Sequence, residues 1–73
     1  MRITYDRSVD AAYIYLLDVI PAGAVKMTYS CDPAEAKAEI NLDFDDAGRL
    51  IGIEVFDASQ KLPSEILDMA ECL

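Results

Sequence analysis

Ile40-Asn41-Leu42-Asp43-Phe44-Asp45-Asp46-Ala47-Gly48-Arg49-Leu50-Ile51-Gly52-Ile53 is the stretch that decides the fold. Apolar and polar residues alternate on both sides of an Asp-Asp-Ala-Gly tetrad, the period of two that marks half-buried strands joined as a hairpin. A three-residue loop with a bulge would set Leu42 opposite Gly52 and Asp43 opposite Ile51, mixing acids with aliphatics on both faces. A four-residue loop, Asp45 to Gly48, instead pairs Phe44 with Arg49, Leu42 with Ile51 and Ile40 with Ile53. This register gathers the apolar residues on one face, as burial of one face requires. Asp at the first loop position and Gly at the last also suit a loop built around a type I turn, so the four-residue register is expected.

Outward from this hairpin the same alternation predicts strands at about 2–6, 12–17, 25–31, 38–44 and 49–56. Asp6-Arg7-Ser8-Val9-Asp10-Ala11 reverses the chain between the first two, and Ile20-Pro21-Ala22-Gly23 punctuates the next connection. Asp32-Pro33-Ala34-Glu35 offers a cap, a proline at the first helical position and an acid three residues after the cap, enough for one helical turn. From Ser59 the period changes: Leu62, Ile66, Met69 and Leu73 form one helical stripe, with Pro63 near its start. About ten residues of helix are marginal alone, so the stripe is expected against the sheet. The expected fold is α+β, in a single domain over residues 1–73: an antiparallel β-meander of about five strands, one face covered by a short C-terminal helix. The covered face would carry Ile3, Tyr5, Ala12, Ile14, Leu16, Ile40, Leu42, Phe44, Ile51, Ile53 and Val55. The other would show Tyr13, Tyr15 and Leu17 beside Glu39, Asn41, Asp43, Glu54 and Phe56.

Composition narrows the chemistry. Of 73 residues, 53% are hydrophobic and 27% charged, which suits a globular core and not a disordered segment. A domain of this size buries only about 60% of what its unfolded chain exposes, so help from a second subunit is expected. With no histidine, there is no Ser-His-Asp or Cys-His pair and no imidazole ligand. Fourteen acids against six bases give a net charge of −8, the wrong sign for neutralising phosphates, so nucleic acid is not an expected partner. Cys31 and Cys72 form no CxxC motif and read as reduced, buried, small hydrophobes. Met1 to Asp6 has no apolar stretch before its first acid, so no signal peptide is expected. The longest apolar run, Ala11 to Leu17, is far below the roughly 20 residues that span a bilayer. A cytoplasmic protein away from membranes is the expectation.

Three constellations invite a chemical reading. Asp43, Asp45, Gly48, Leu50 and Glu54 overlay positions of a calcium-binding loop, but Ala47 removes a ligand and the flanks alternate as strands where such a loop needs helices. Asp43 and Glu54 share a face and would form an acid–base pair if burial separated their pKa values, yet no nucleophile or phosphate-cradling loop accompanies them. Tyr13 and Tyr15, at strand spacing, suit packing across strands or against a second subunit more than stacking a ligand. The chain is therefore expected not to be an enzyme and to carry no cofactor or metal.

Arg2-Ile3-Thr4-Tyr5-Asp6, Asp10-Ala11-Ala12-Tyr13-Ile14 and Asn41 through Val55, with Asp57-Ala58-Ser59 following, resemble the small prokaryotic proteins grouped as domain-of-unknown-function family 2283. The likeness covers residues 2–17 and 40–59, and the family's Asp-Gly-Arg-Leu-Ile-Gly-Ile-Glu core stands here as Ala47-Gly48-Arg49-Leu50-Ile51-Gly52-Ile53-Glu54. Cys31 to Ala38 is longer than the family's usual link, and Tyr15 stands where a charged residue is common. The resemblance brings no catalytic residues; it implies an antitoxin-like partnership with a small basic protein.

The functional expectation is a small acidic, non-catalytic protein-interaction module. Glu39, Asp43, Asp45, Asp46 and Glu54 would hold a basic protein partner, since such a field speeds association with a positive surface. Tyr13, Tyr15, Leu17 and Phe56 would form the interface of a homo-oligomer, most simply a dimer. The alternative is a small-ligand or calcium-binding protein that uses the acidic hairpin.

Overall fold

In the computed structural model, which describes residues 1–73, β1 (Arg2–Asp6) and β2 (Ala11–Tyr15) pair antiparallel with Ile3 opposite Ile14 and Tyr5 opposite Ala12. The reversal between them is held by Asp6, whose carboxylate accepts from the Ser8 backbone N–H at 2.9 Å and the Ser8 hydroxyl at 2.6 Å. These bonds hold the Asp6 carboxyl below its usual range. The remaining strands are β3 (Met27–Ser30), β4 (Ile40–Phe44), β5 (Leu50–Phe56) and β6 (Glu71–Cys72), joined through the helices α1 (Pro33–Ala36), α2 (Ala58–Lys61) and α3 (Ser64–Met69). The predicted strands over 12–17, 25–31 and 38–44 are thus shorter or shifted.

The sheet is not the expected meander. Its order is β3-β4-β5-β2-β1-β6, so β2 neighbours β5 and not the strand that follows it. β3, β4 and β5 are linked by hairpins, and β2, joined to β3 by a long connection, lies beside β5: the strand order of a Greek key. Burial explains the choice. β5 carries the buried Ile51, Gly52 and Val55, whereas all four residues of β3 are exposed, so β5 takes the centre and β3 the edge. Residues 16–26 span three strand spacings of about 4.8 Å each, well within the reach of that length of chain.

The β4–β5 hairpin also departs from the expected register. Asp45 and Arg49 close the loop, with the Asp45 N–H donating to the Arg49 carbonyl at 2.9 Å and Gly48 in the left-handed region at φ 79°. Phe44 then faces Leu50 and Asp43 faces Gly52, which leaves Ile51 as the extra residue of a β-bulge. Beyond it Leu42 faces Ile53 and Ile40 faces Val55, so the predicted Leu42–Ile51 and Ile40–Ile53 pairs are each two residues out. The bulge lets a three-residue loop keep aliphatics and acids on separate faces, which removes the objection that favoured the longer loop.

The expected C-terminal helix is two. Leu62 sits extended at φ −105° and ψ 144° ahead of Pro63, which restricts the residue before it and cannot donate to continue α2. Leu62, Leu67 and Ala70 pack on a core of Tyr5, Ala12, Val55 and Ala58, which defines the inner face of the sheet. Met69 and Leu73, predicted on the stripe, are 71% and 77% exposed. After Ala70 the chain extends, β6 pairs parallel with β1, and the Leu73 N–H donates to the Tyr5 carbonyl at 2.9 Å. The turn of helix at 33–36 forms as expected, with the Asp32 carboxylate accepting from the Ala34 N–H at 2.9 Å and Pro33 in the first turn. Cys31 is half-buried and Cys72 exposed, a correction to the expectation that both are buried. They flank opposite edges of the sheet, too far apart for a disulfide within the chain. No helix is long and apolar enough to cross a membrane.

Candidate functional site

Residues facing each other across antiparallel strands share a face, so the register lays out the outer surface row by row. Ser30, Asn41, Glu54, Tyr13, Thr4 and Glu71 form one row across all six strands. Thr28, Asp43, Gly52, Tyr15 and Arg2 form the next, across five.

Hydrogen bonds stitch the two rows together. The Ser30 hydroxyl donates to Asn41 Oδ1 at 2.8 Å, and Asn41 Nδ2 donates to Glu54 Oε1 at 3.2 Å. Tyr13 reaches diagonally over β5 to donate to Asp43 Oδ2 at 2.6 Å, and Thr28 donates to Asp43 Oδ1 at 2.6 Å. The crossing is possible because Gly52 has no side chain: a Cβ there would collide with the Tyr13 phenol. Burial, then the bond to Asp43, raises the Tyr13 phenol well above its ordinary pKa. The Tyr15 ring lies 4.7 Å from the Tyr13 ring, centroid to centroid, with the Arg2 guanidinium 4.3 Å from the Tyr15 centroid. Arg2 Nε in turn donates to Glu71 Oε2 at 2.8 Å.

The five acids predicted to hold a partner do not form one patch. Asp43 and Glu54 lie in adjacent rows on the outer face. Asp45 belongs to the turn, its carboxylate accepting from the Ala47 N–H at 3.0 Å, the Arg49 N–H at 2.9 Å and Arg49 Nε at 3.1 Å. Those bonds, the Arg49 N–H foremost, hold its carboxyl below the usual range. Asp46 is exposed in the same loop, and Glu39 is exposed at the other end of β4. Of the four predicted interface residues, Tyr13, Tyr15 and Phe56 share the outer face, while Leu17 lies beyond the end of β2. No group of three or more His, Cys, Asp or Glu side chains is gathered closely enough to hold a metal ion.

Beside Tyr13 the outer face carries a depression of about 240 Å³, lined among others by Thr4, Ala11, Tyr13, Phe56 and Leu73, with the acids Asp6 and Glu54. It exists because Thr4 and Ala11 are small where their neighbours are large. Chemically it joins apolar walls to two carboxylates, a combination suited to an alkyl stem that ends in a cation. Sequence reasoning had not assigned Asp6 to it.

A second cluster also escaped the sequence reading. Asp10, in the left-handed region at φ 52°, accepts the Tyr5 hydroxyl at 2.6 Å, the Ser59 N–H at 3.0 Å and the Ser59 hydroxyl at 2.7 Å. Its carbonyl takes the Ala58 N–H at 3.0 Å. Asp10 thus serves as the cap of α2, whose own preceding residue, Asp57, makes no side-chain cap bond. The Tyr5 hydroxyl first, then Ser59, hold the Asp10 carboxyl below its ordinary range, while the bond to Asp10 raises the Tyr5 phenol. An aspartate in the first turn and a serine at the start of a helix were the available signals, but nothing local connects them.

A family described as "Protein of unknown function (DUF2283)" matches residues 2–59. The matched span takes in β1 to β5, the outer-face rows on those strands and both ends of the Asp10–Ser59 clasp. No match was found among curated proteins or among solved structures.

Proposed function

The chain belongs to the DUF2283 family, described as of unknown function, and on that premise we propose from the site's chemistry a small acidic, non-catalytic protein-interaction domain that receives a basic segment of a partner. The observation that carries this reading is the depression beside Tyr13, where the apolar walls of Phe56 and Leu73 meet the carboxylates of Asp6 and Glu54. An inserted Lys or Arg would bury its methylenes against the walls and set its charge beside the acids. A net charge of −8 adds long-range attraction for a positive surface, which raises the association rate and fades with salt. The acids that act at close range in this reading are Glu54 and Asp6, while Asp43, Asp45, Asp46 and Glu39 contribute to the field at a distance. An antitoxin-like role beside a small basic protein in the cytoplasm is one form of the same chemistry.

The test is charge reversal. The chain is purified with its bound proteins from the cell that makes it, and the dissociation constant of the identified partner is measured against salt for the wild type and for Asp6→Lys with Glu54→Lys. The expected result is weaker binding and a flatter salt dependence with an unchanged circular dichroism spectrum. A folded double variant that binds the same partner with the same affinity and salt slope refutes the proposal.

A further inference from the structure

The two edges of the sheet differ. One is formed by β6, two residues long, while the other, β3, is open along Met27–Ser30 with all four residues exposed. The Cys31 N–H donates to the Ile40 carbonyl at 2.9 Å, in phase with Tyr29 opposite Leu42 and Met27 opposite Phe44. Within Met27–Ser30 the odd-numbered residues therefore direct their backbone groups toward β4, and the N–H and C=O of Thr28 and Ser30 point away from the sheet; just before the strand the Lys26 N–H also turns to β4, donating to the Phe44 carbonyl at 2.9 Å. Proteins blunt an open edge with proline, lysine, an inward charge or a bulge; Met27-Thr28-Tyr29-Ser30 contains no proline and no charge and pairs with β4 without a register shift, so the one such device here is Lys26 at the end of the edge, whose N–H bonds the Phe44 carbonyl out of step with the ladder.

We propose that this edge pairs with the same edge of a second copy of the chain, antiparallel and centred on Thr28, so that the six strands of each copy join in one continuous sheet. A twofold axis normal to the sheet keeps inner face with inner face only if the residue numbers of each facing pair sum to an even number. The Thr28 centre satisfies this, and it lets each outward Thr28 N–H donate to the outward carbonyl of its twin. On the inner face it sets each Met27 against the second copy's Tyr29, covering side chains that are 55% and 57% exposed in the single chain with sulfur–aromatic pairs. Charge favours a second copy at this place. In a chain of net charge −8, β3 is uncharged, and the Asp43 carboxylate behind Thr28 is already held by the Thr28 and Tyr13 hydroxyls. The need is also visible: only nine of 73 residues are buried, a small core that a shared sheet would extend. This contact is separate from the outer-face depression, so either reading can fail alone.

Sedimentation velocity at high micromolar concentration tests it, and the expected species is a dimer of the 8.0 kDa chain. Thr28→Pro removes the outward N–H while leaving the backbone ladder with β4, but it also removes the Thr28 hydroxyl from Asp43; Tyr29→Lys puts a charge on the edge and leaves that bond in place. Each should raise the dimer dissociation constant by about tenfold or more while the circular dichroism spectrum stays native. If Thr28→Pro does not fold, Tyr29→Lys, at a position already exposed, decides alone. A wild-type chain that stays monomeric, or a dimer whose affinity is unchanged in the folded edge variants, overturns the proposal. So does a dimer that dissociates only on Tyr15→Asp, which would place the contact on the outer face.

Discussion

Replacing Gly52 by alanine tests the argument that an absent side chain positions Tyr13. A Cβ built on Gly52 overlaps the Tyr13 hydroxyl and lies 2.6 Å from its Cζ and 2.8 Å from its Cε1, where carbon pairs rest at about 3.5–4.0 Å. The phenol ring is rigid, so relieving a mismatch of about 1 Å means swinging the whole ring off β5, away from Asp43. A hydrogen bond to a charged acceptor contributes about 1.5–3 kcal/mol, and the low end applies at a half-buried face. Displacing the ring from its tilted contact with Tyr15 costs about 0.5 kcal/mol more. Against this, alanine in a strand gains about 0.5–1 kcal/mol over glycine through backbone entropy. The balance is a loss of about 1–1.5 kcal/mol, or a fall in melting temperature of about 4–12 °C for a domain of this size. Urea denaturation of a double-mutant cycle isolates the cause: in a Tyr13→Ala background the same Gly52→Ala change should be neutral or stabilising, giving a coupling of about 2 kcal/mol. Equal costs in both backgrounds, or a single-variant cost below about 0.5 kcal/mol, would refute the reasoning.

Gly48→Val should lower stability by about 1–2 kcal/mol in urea denaturation, all of it backbone strain, because φ is 79° and nothing lies within 4 Å of the added Cβ; Gly48→Asn should recover part of the loss. Leu67→Ala should cost about 1–2 kcal/mol by the same assay, since Leu67 packs on the core, and Met69→Ala less than about 0.5, which the expected single-helix stripe would have reversed. Asp10 has a depressed pKa in the folded chain, so its contribution is full above the ordinary carboxylate pKa and disappears as pH falls through the folded value. The melting-temperature gap between wild type and Asp10→Asn should therefore be wider at neutral pH than in acid below about pH 3; an equal gap at both would mean the carboxylate charge does not stabilise the clasp.

Alternation made β1, β2, β4 and β5 legible, along with the face to which Tyr13, Tyr15, Asn41, Asp43 and Glu54 belong. Face membership survived even though the register did not, because the shorter loop and the bulge at Ile51 each shift the pairing by one residue, so beyond the bulge parity is unchanged. The bulge itself has no strong local signature: Ile51 looks like any inward aliphatic. Strand order was out of reach for another reason. Hydrophobic periodicity describes each strand by itself, and the pairing of β2 with β5 is decided by competition for the centre of the sheet. In the C-terminal segment Pro63 does stand at a helix start, as its position suggests, but the helix it opens is α3 alone, because the residue before a proline is pushed to extended backbone and Leu62 ends α2. The depression and the Asp10–Ser59 clasp depend on residues far apart in the chain, and only the folded sheet brings them together.

The Greek-key order has a kinetic consequence. β1 with β2, and β3 with β4 and β5, are two units whose internal pairings join near neighbours in sequence, whereas the β2–β5 seam must close a loop running from residue 16 to residue 49. Closing a long loop costs entropy before any contact compensates it, so the two units are expected to form first, with their docking along Ala12–Val55 and Ile14–Ile53 as the expected slow step of refolding. The clasp from Asp10 to Ser59 and the pairing of β6 with β1 follow that docking and act as latches, slowing unfolding without hastening assembly.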